Sequence, residues 1–366
     1  MEEIALALLI CLALAVISRR FAVPPIPFYI IAGLVAGNLG LEVLRNSTIS
    51  TFFSHMGLVF LLFYSGLEFK PERFLSRGSD FLKSGLLDLN LNMAIGFLAA
   101  LLTGLSPFES FVIASAFLDT SSAVAVSSLI ENRRLVAPES ETIVWLLIFE
   151  DLIMVFLIFF ISTEVQNPFV LIVKIGGVVI LVFALIRLFA RKILSLVRRT
   201  DEIPALFTFT SVLSATGASL YLAIPEAVPV IALGSALSRT NPVAFERIAT
   251  PFKDIFLVIF FFFFGASVSF KGGFSPVLMI TITLTAIGAK LFSGMVIGWV
   301  LHHSRGAGVE IAANTVARGE FAVAIAAIYG SAVVSGAVAV MVIVTSIFGV
   351  FMAKYSEKIR EYIGPG

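Results

Sequence analysis

Long apolar runs, separated by short stretches marked with Lys, Arg, Pro or Gly, cover the chain from end to end. A helix that crosses a bilayer needs roughly 20 mostly apolar residues. Cutting at the polar breaks predicts thirteen spans, over residues 2–18, 26–44, 53–68, 84–105, 108–129, 142–162, 168–190, 204–222, 226–238, 252–268, 275–301, 308–329 and 333–354. The stretch 226–238 carries the weakest signal, being short and holding Pro229. The first run is not a removable leader, because Glu2 and Glu3 stand where a basic region belongs and a second span follows at once. No Ser/Gly-rich linker or low-complexity segment interrupts the series, and only 355–366 follow the last span, so no soluble domain is expected in this sequence.

Composition agrees with lipid as the solvent. Of 366 residues, 59% are hydrophobic and 13% charged, half the charged share of an ordinary soluble domain. The net charge of +1 excludes a nucleic-acid partner, which would require a basic face. The lone Cys11, inside an apolar helix, excludes a disulfide framework and a cysteine metal site. Thirteen spans put the termini on opposite sides, and basic residues decide which is cytoplasmic. With the N-terminus outside, the inner loops and tail collect 20 Lys and Arg, whereas the outside receives only Arg45, Lys174 and Lys271. The expected topology is N-terminus outside, C-terminus cytoplasmic.

Ionisable groups at mid-span are the chemical signal. Glu150 and Asp151 lie within 142–162, Lys290 within 275–301, Arg318 and Glu320 within 308–329, and Asp119 within 108–129. At a rise of about 1.5 Å per residue, each sits ~12–22 Å from its helix start, near the middle of a ~30 Å hydrocarbon core. A charge there costs about 2.5–3.5 kcal/mol on insertion scales, so such groups pair or line a wet cavity, and they mark ion or proton pathways. Asp119, Glu150, Asp151 and Glu320 outnumber Lys290 and Arg318. Buried excess negative charge must be neutralised by protons or by a cation, which therefore compete for one site.

Two spans read as broken helices. Thr120, Ser121 and Ser122 lie at the centre of one, where hydroxyls can satisfy freed backbone groups, and Gly319 lies at the same depth in the other. Setting SAVAV (122–126) over FAVAI (321–325) aligns Asp119 with Arg318 at an offset of 199 residues. That offset lays span five over span twelve, so the two halves run in opposite directions. Inverted repeats with interrupted helices meeting at the midplane are how many secondary transporters build their site.

Residues 23–37 (VPPIPFYIIAGLVAG), LLFYSGLEF (61–69), LDTSSAVAV (118–126), FEDL (149–152), IFFFFFGASVSF (259–270), AKL (289–291) and ARGEF (317–321) together resemble the Kef-type branch of the monovalent cation:proton antiporter superfamily, the cation:proton antiporter-2 family. The likeness runs over roughly residues 20–350. It implies an all-α polytopic protein of the sodium/proton antiporter type, active as a homodimer in the plasma membrane of a prokaryote. Residues 1–68 and 204–268 would form its dimerisation domain, 84–162 and 275–354 its ion-transport core, 168–197 a linking helix and 355–366 a cytoplasmic tail. Asp151 matches the family's cation-binding, proton-carrying aspartate. Glu150 matches the preceding position, which is Asp in several sodium exchangers and Gln in Kef potassium exchangers, and Lys290 matches a lysine that pairs with that acid. Thr120, Ser121 and Ser122 match the unwound stretch crossing ARGEF. No cofactor is implied beyond the transported Na+ or K+ and protons. Kef proteins usually carry a nucleotide-binding regulatory domain after the membrane part, and none follows here.

Other readings keep less of the pattern. A proton- or sodium-coupled symporter of a small organic anion would use Arg318 to hold a carboxylate, but Glu150 and Asp151 would repel one. A cation channel needs a continuous lined pore rather than charges at one depth. An intramembrane hydrolase lacks GxSxG, HExxH and any mid-span histidine, so the protein is not expected to be an enzyme. The adjacent His302 and His303 point about 100° apart on a helix and make a poor metal pair. Gly33 and Gly37 favour close helix contact, by packing or dimerisation. Phe260–Phe264 suits a lipid-facing or interdomain surface, and Asp88, Asn90 and Asn92 suit either a funnel lining or bonds between helices.

Overall fold

The computed structural model describes residues 2–20, 25–38, 48–68, 78–131, 134, 137–161, 168–222, 224–268 and 275–363. The end of the second expected span (39–44), the last residue of the sixth (162), residues 364–366 of the expected tail and the loop charges Arg45, Lys70, Arg73, Arg77, Arg133 and Lys271 lie outside them. Sixteen helices are described: α1 (Glu2–Arg20), α2 (Ile26–Asn38), α3 (Thr48–Glu68), α4 (Gly78–Leu102), α5 (Pro107–Leu118), α6 (Ser122–Glu131), α7 (Pro138–Ile161), α8 (Pro168–Val197), α9 (Ile203–Leu222), α10 (Ala227–Ser238), α11 (Pro242–Ser267), α12 (Pro276–His302), α13 (Arg305–Thr315), α14 (Glu320–Tyr329), α15 (Ala332–Lys354) and α16 (Ser356–Ile363). Each expected span falls on one helix, except that the fifth is α5 with α6 and the twelfth is α13 with α14; α11 starts ten residues before the expected 252–268 and α8 runs seven residues past 168–190. Seven of the described helices, α3, α4, α8, α9, α11, α12 and α15, contain stretches long and apolar enough to cross a membrane. The short α10 is 12 residues long, about 18 Å at helical rise against a ~30 Å core.

Local sequence sets the ends. Ser106 accepts from the Glu109 amide while Glu109 reaches back to the Ser106 amide, a reciprocal cap with Pro107 in the first turn of α5. Ser275, Ser304 and Ser331 cap α12, α13 and α15 one-sidedly, each hydroxyl accepting from an amide of the first turn. At the other end of α12, His303 adopts a left-handed conformation (φ 49°) and its amide donates to the Gly298 carbonyl, which stops the helix. Between α8 and α9, Asp201 accepts from Arg199 and from the Ile203 amide. The Arg199 guanidinium holds the Asp201 carboxyl below its usual range.

Packing contacts group the chain into two compact units. The first comprises residues 1–46, 76–154 and 261–366, and the second 47–75 and 155–260. Within the first unit α12 packs against α4, α13 and α15, and α5 against α4 and α14. Helix α2 lies so close to the end of α11 that a Cβ on Gly33 would stand 1.8 Å from the Phe262 carbonyl oxygen, and one on Gly265 2.2 Å from that of Ile30. Gly33 and Gly37 are therefore consumed by packing within the chain. The five phenylalanines 260–264 are at most 5% exposed, so they face protein rather than lipid. Within the second unit α10 packs against α3, α8 and α9, and Phe60 stacks with Phe209, Phe252 and Phe256 at centroid distances of 5.5–5.6 Å.

Candidate ion-binding site

Past Leu118, where α5 stops, and past Thr315, where α13 stops, the chain leaves the helix, extended at Asp119 and at Gly319, and the two breaks meet. Thr120 and Arg318 form an antiparallel bridge, and the Ser121 amide donates to the Ala317 carbonyl at 2.8 Å. Gly319 is needed by this approach, since a Cβ there would come within 2.9 Å of both Asp119 Oδ2 and the Thr120 carbonyl oxygen. Four half-helix ends converge here, each with unsatisfied backbone groups and a partial charge. Asp119 Oδ2 accepts from the Ala322 amide at 2.7 Å, in the first turn of α14. The Thr120 hydroxyl donates to the Thr315 carbonyl at 3.1 Å, at the end of α13. The Arg318 guanidinium donates to the Phe117 carbonyl in the last turn of α5, and to the Ala286 carbonyl of α12 at 2.5 Å. Asp119 and Arg318, both 1% exposed, thus each compensate a helix end of the opposite repeat rather than one another. Ser121 is buried, and Ser122 and Glu320 are half-buried at the heads of α6 and α14.

Beside the crossing, Lys290 Nζ lies 2.8 Å from Glu150 Oε1, with both residues fully buried. A second carboxylate, Asp88 of α4, lies 2.7 Å from the same nitrogen. Of the two roles its sequence position suits, a funnel lining or a bond between helices, Asp88 makes the bond between helices. Asp88 Oδ1 also accepts from the Ser293 hydroxyl at 2.8 Å and from Asn92 Nδ2 at 3.0 Å. The signal available beforehand was the i,i+4 spacing of Asp88 and Asn92, which puts both on one helix face. Asn90 falls on another face, is exposed, and donates to the Leu86 carbonyl of its own helix. Asp88 adds a fifth carboxylate to the four expected in the membrane, so the acid excess grows. Asp151, next to Glu150, is half-buried.

A further charged chain was missed. Glu310 of α13, fully buried, is 3.7 Å from Arg134, which reaches Glu139 at 2.8 Å, which in turn meets Arg360 of α16 at 3.1 Å. Glu310 stands two residues inside an expected span and reads from sequence as a boundary residue. His302 shares a hydrogen bond of 2.9 Å with Thr142 of α7, and joins no metal-ligand cluster among the described residues.

Residues 5–355 match the family described as sodium/hydrogen exchanger, transmembrane. The chain belongs to the sodium/hydrogen exchanger family. Among curated proteins, this exchanger-family chain is 29% identical over 386 residues to the K(+)/H(+) antiporter subunit KhtU of Bacillus subtilis, covering 99% of the chain and 94% of the relative. It is 25% identical to the ammonium/H(+) antiporter subunit AmhT of Alkalihalophilus pseudofirmus, covering 97% and 93%. To the Na(+)/H(+)-K(+) antiporter GerN of Bacillus cereus it is 26% identical, covering 97% and 95%. The fold is that of the sodium proton antiporter MjNhaP1 from Methanocaldococcus jannaschii, with a TM-score of 0.64 at 15% identity, covering 99% of this chain and 96% of that one. The Kef-type resemblance and the antiporter-like helical fold read from the sequence agree with these matches.

Proposed function

We propose that this exchanger-family chain exchanges a monovalent cation, Na+ or K+, for protons by alternating access at Glu150 and Asp151. The observation that carries this reading is the fully buried cluster in which one lysine faces two carboxylates, 2.7 and 2.8 Å away, beside two crossing broken helices. Carboxylate, hydroxyl and carbonyl oxygens suit a hard cation, and a buried acid excess suits one that trades places with protons. The relatives' names, which speak of K(+)/H(+), ammonium/H(+) and Na(+)/H(+)-K(+) antiport, support a monovalent cation as the other partner. Arg318 argues against an organic-anion symporter, because helix carbonyls accept from both terminal nitrogens of its guanidinium, leaving only Nε without a partner among the described residues. We assign the protein to the cell membrane of a prokaryote, as a homodimer, with its N-terminus outside and C-terminus cytoplasmic on the strength of the basic-residue asymmetry.

The test is dequenching of a pH-sensitive dye in proteoliposomes under an imposed pH gradient, with Na+, K+, Li+ and NH4+ added in turn. Asp151→Asn removes the charge at nearly constant volume, and is expected to abolish cation-dependent proton movement while the purified protein stays monodisperse. Glu150→Gln, which restores the Kef pattern, is expected to keep exchange with altered cation preference. Undiminished exchange in Asp151→Asn would remove the assignment.

A further inference from the structure

The two acids that share Lys290 are not equivalent. Asp88 has both oxygens occupied, Oδ2 by the lysine and Oδ1 by Ser293 and Asn92. Glu150 Oε1 takes the lysine, whereas Glu150 Oε2 is buried with no hydrogen-bond partner among the described residues. Asp88 is therefore the lysine's resident counter-ion, and Glu150 is the acid with an oxygen to offer.

A second orphan oxygen belongs to the same cluster. Asn92 is 0% exposed, and its Nδ2 donates to the Asp88 carbonyl at 2.9 Å, to Asp88 Oδ1 at 3.0 Å and to Ser293 Oγ at 3.3 Å. Those acceptors fix the amide's orientation, because the flipped amide would turn its oxygen against a carboxylate. Asn92 Oδ1 is left pointing elsewhere, buried and without a partner among the described residues. Asn92 Nδ2, Asp88, Lys290 and Glu150 form one chain of contacts, at 3.0, 2.7 and 2.8 Å. Buried polar atoms normally have partners, and unsatisfied ones call for an explanation.

Both orphans are acceptors, and they require something positive or hydrogen-donating. A proton on Glu150 would satisfy only one of the two. A desolvated monovalent cation held between them would satisfy both, and an amide oxygen adds a ligand without adding negative charge, which leaves the ion free to go. Resting on the exchange reading above, we propose that Asn92 Oδ1 joins Glu150 Oε2 as a ligand of the transported cation, which makes Asn92 a specificity-determining residue. In this arrangement Asp88 and Ser293 hold the Asn92 amide in place, and Lys290 stays with Asp88 while Glu150 engages the ion.

The experiment compares the full-length wild type with Asn92→Ala and Asn92→Ser in proteoliposomes, measuring half-saturating concentration and maximal rate for Na+, K+, Li+ and NH4+. Loss of one ligand is expected to raise the half-saturating concentration of the preferred cation about tenfold in Asn92→Ala. The order among the cations should change, and the maximal rate should move far less. Asn92→Ser keeps an oxygen and should fall between. A parallel reading is the rise in melting temperature of the detergent-solubilised protein on adding the preferred cation in place of choline, expected in the wild type and lost in Asn92→Ala. If Asn92→Ala does not fold, Asn92→Ser decides by the same two readings. Wild-type half-saturation for every cation in the folded variants would overturn the proposal, and would mean that a buried water satisfies the two oxygens. Absence of exchange in the wild type with all four cations would instead overturn the exchange reading. The cation-dependent melting shift, and its loss in Asn92→Ala, would then still report the ligand.

Discussion

Replacing Lys290 by methionine keeps a long unbranched side chain and removes the one positive charge shared by Asp88 and Glu150. Both acids are within 2.8 Å of the lysine nitrogen and at most 1% exposed, so neither has water to turn to. Breaking a buried ion pair by deleting one partner typically costs about 3–5 kcal/mol, because the remaining charge is left uncompensated. Ser293 and Asn92 still donate to Asp88, at 2.8 and 3.0 Å, which softens the loss on that side. On the Glu150 side only the Thr120 hydroxyl stands beside the carboxyl, and Oε2 makes no hydrogen bond among the described residues. The expected result is therefore a loss of about 3–5 kcal/mol, read as an apparent melting temperature lower by on the order of 10 °C in detergent. The same reasoning makes a second, sharper statement. In Lys290→Met/Asp88→Asn/Glu150→Gln no buried charge remains at the cluster, and a neutral replacement of a buried ionic group is often tolerated or stabilising. That triple variant should melt above the single one. A Lys290→Met protein that melts within ~2 °C of the wild type, with no gain in the triple variant, would show that the three groups do not interact as their distances imply.

Arg318→Ala is expected to lower thermal stability by about 2–4 kcal/mol while leaving the order of cation preference intact, since the guanidinium serves the Phe117 and Ala286 carbonyls and a charge-assisted hydrogen bond contributes roughly 1.5–3 kcal/mol. Melting curves and the four-cation exchange assay check the two halves, and a stable variant with reversed preference would refute it. Gly33→Ala should sharply reduce the yield of monodisperse protein, because its methyl group would meet the Phe262 carbonyl oxygen at 1.8 Å; Gly176→Ala, with nothing within 4 Å, is the matched control and should be neutral.

How much of the site was legible differs residue by residue. The breaks at Thr120 and Gly319 were readable because hydroxyls and glycine at the centre of an apolar run are a local anomaly. The pairing of Lys290 with Glu150 was expected only through the family resemblance, and the structure places them at 2.8 Å. Asp88 escaped assignment because it and Lys290 are 202 residues apart, and no local pattern says which face of α4 meets which face of α12. The repeat alignment sets Arg318 opposite Asp119, where it could answer either that acid or a helix end. The backbone carbonyls it actually serves are present in every residue and carry no sequence signal.

The sequence by itself determined that the chain is a series of apolar helices suited to lipid, roughly where each helix lies, and that Asp119, Glu150, Lys290 and Arg318 interrupt those runs. Those properties follow from a solvent that excludes unpaired backbone groups and penalises every charge, so each can be judged from a window of about 20 residues. The tertiary structure alone decided that one lysine answers two acids, that Asp88 is saturated while Glu150 keeps an open oxygen, and that Gly33 and Gly265 let α2 and α11 touch backbone to backbone. Such facts depend on the rotation and register of helices packed against one another. A shift of one residue turns a helical side chain by about 100°, enough to send Asp88 away from Lys290 without altering the hydropathy of either span.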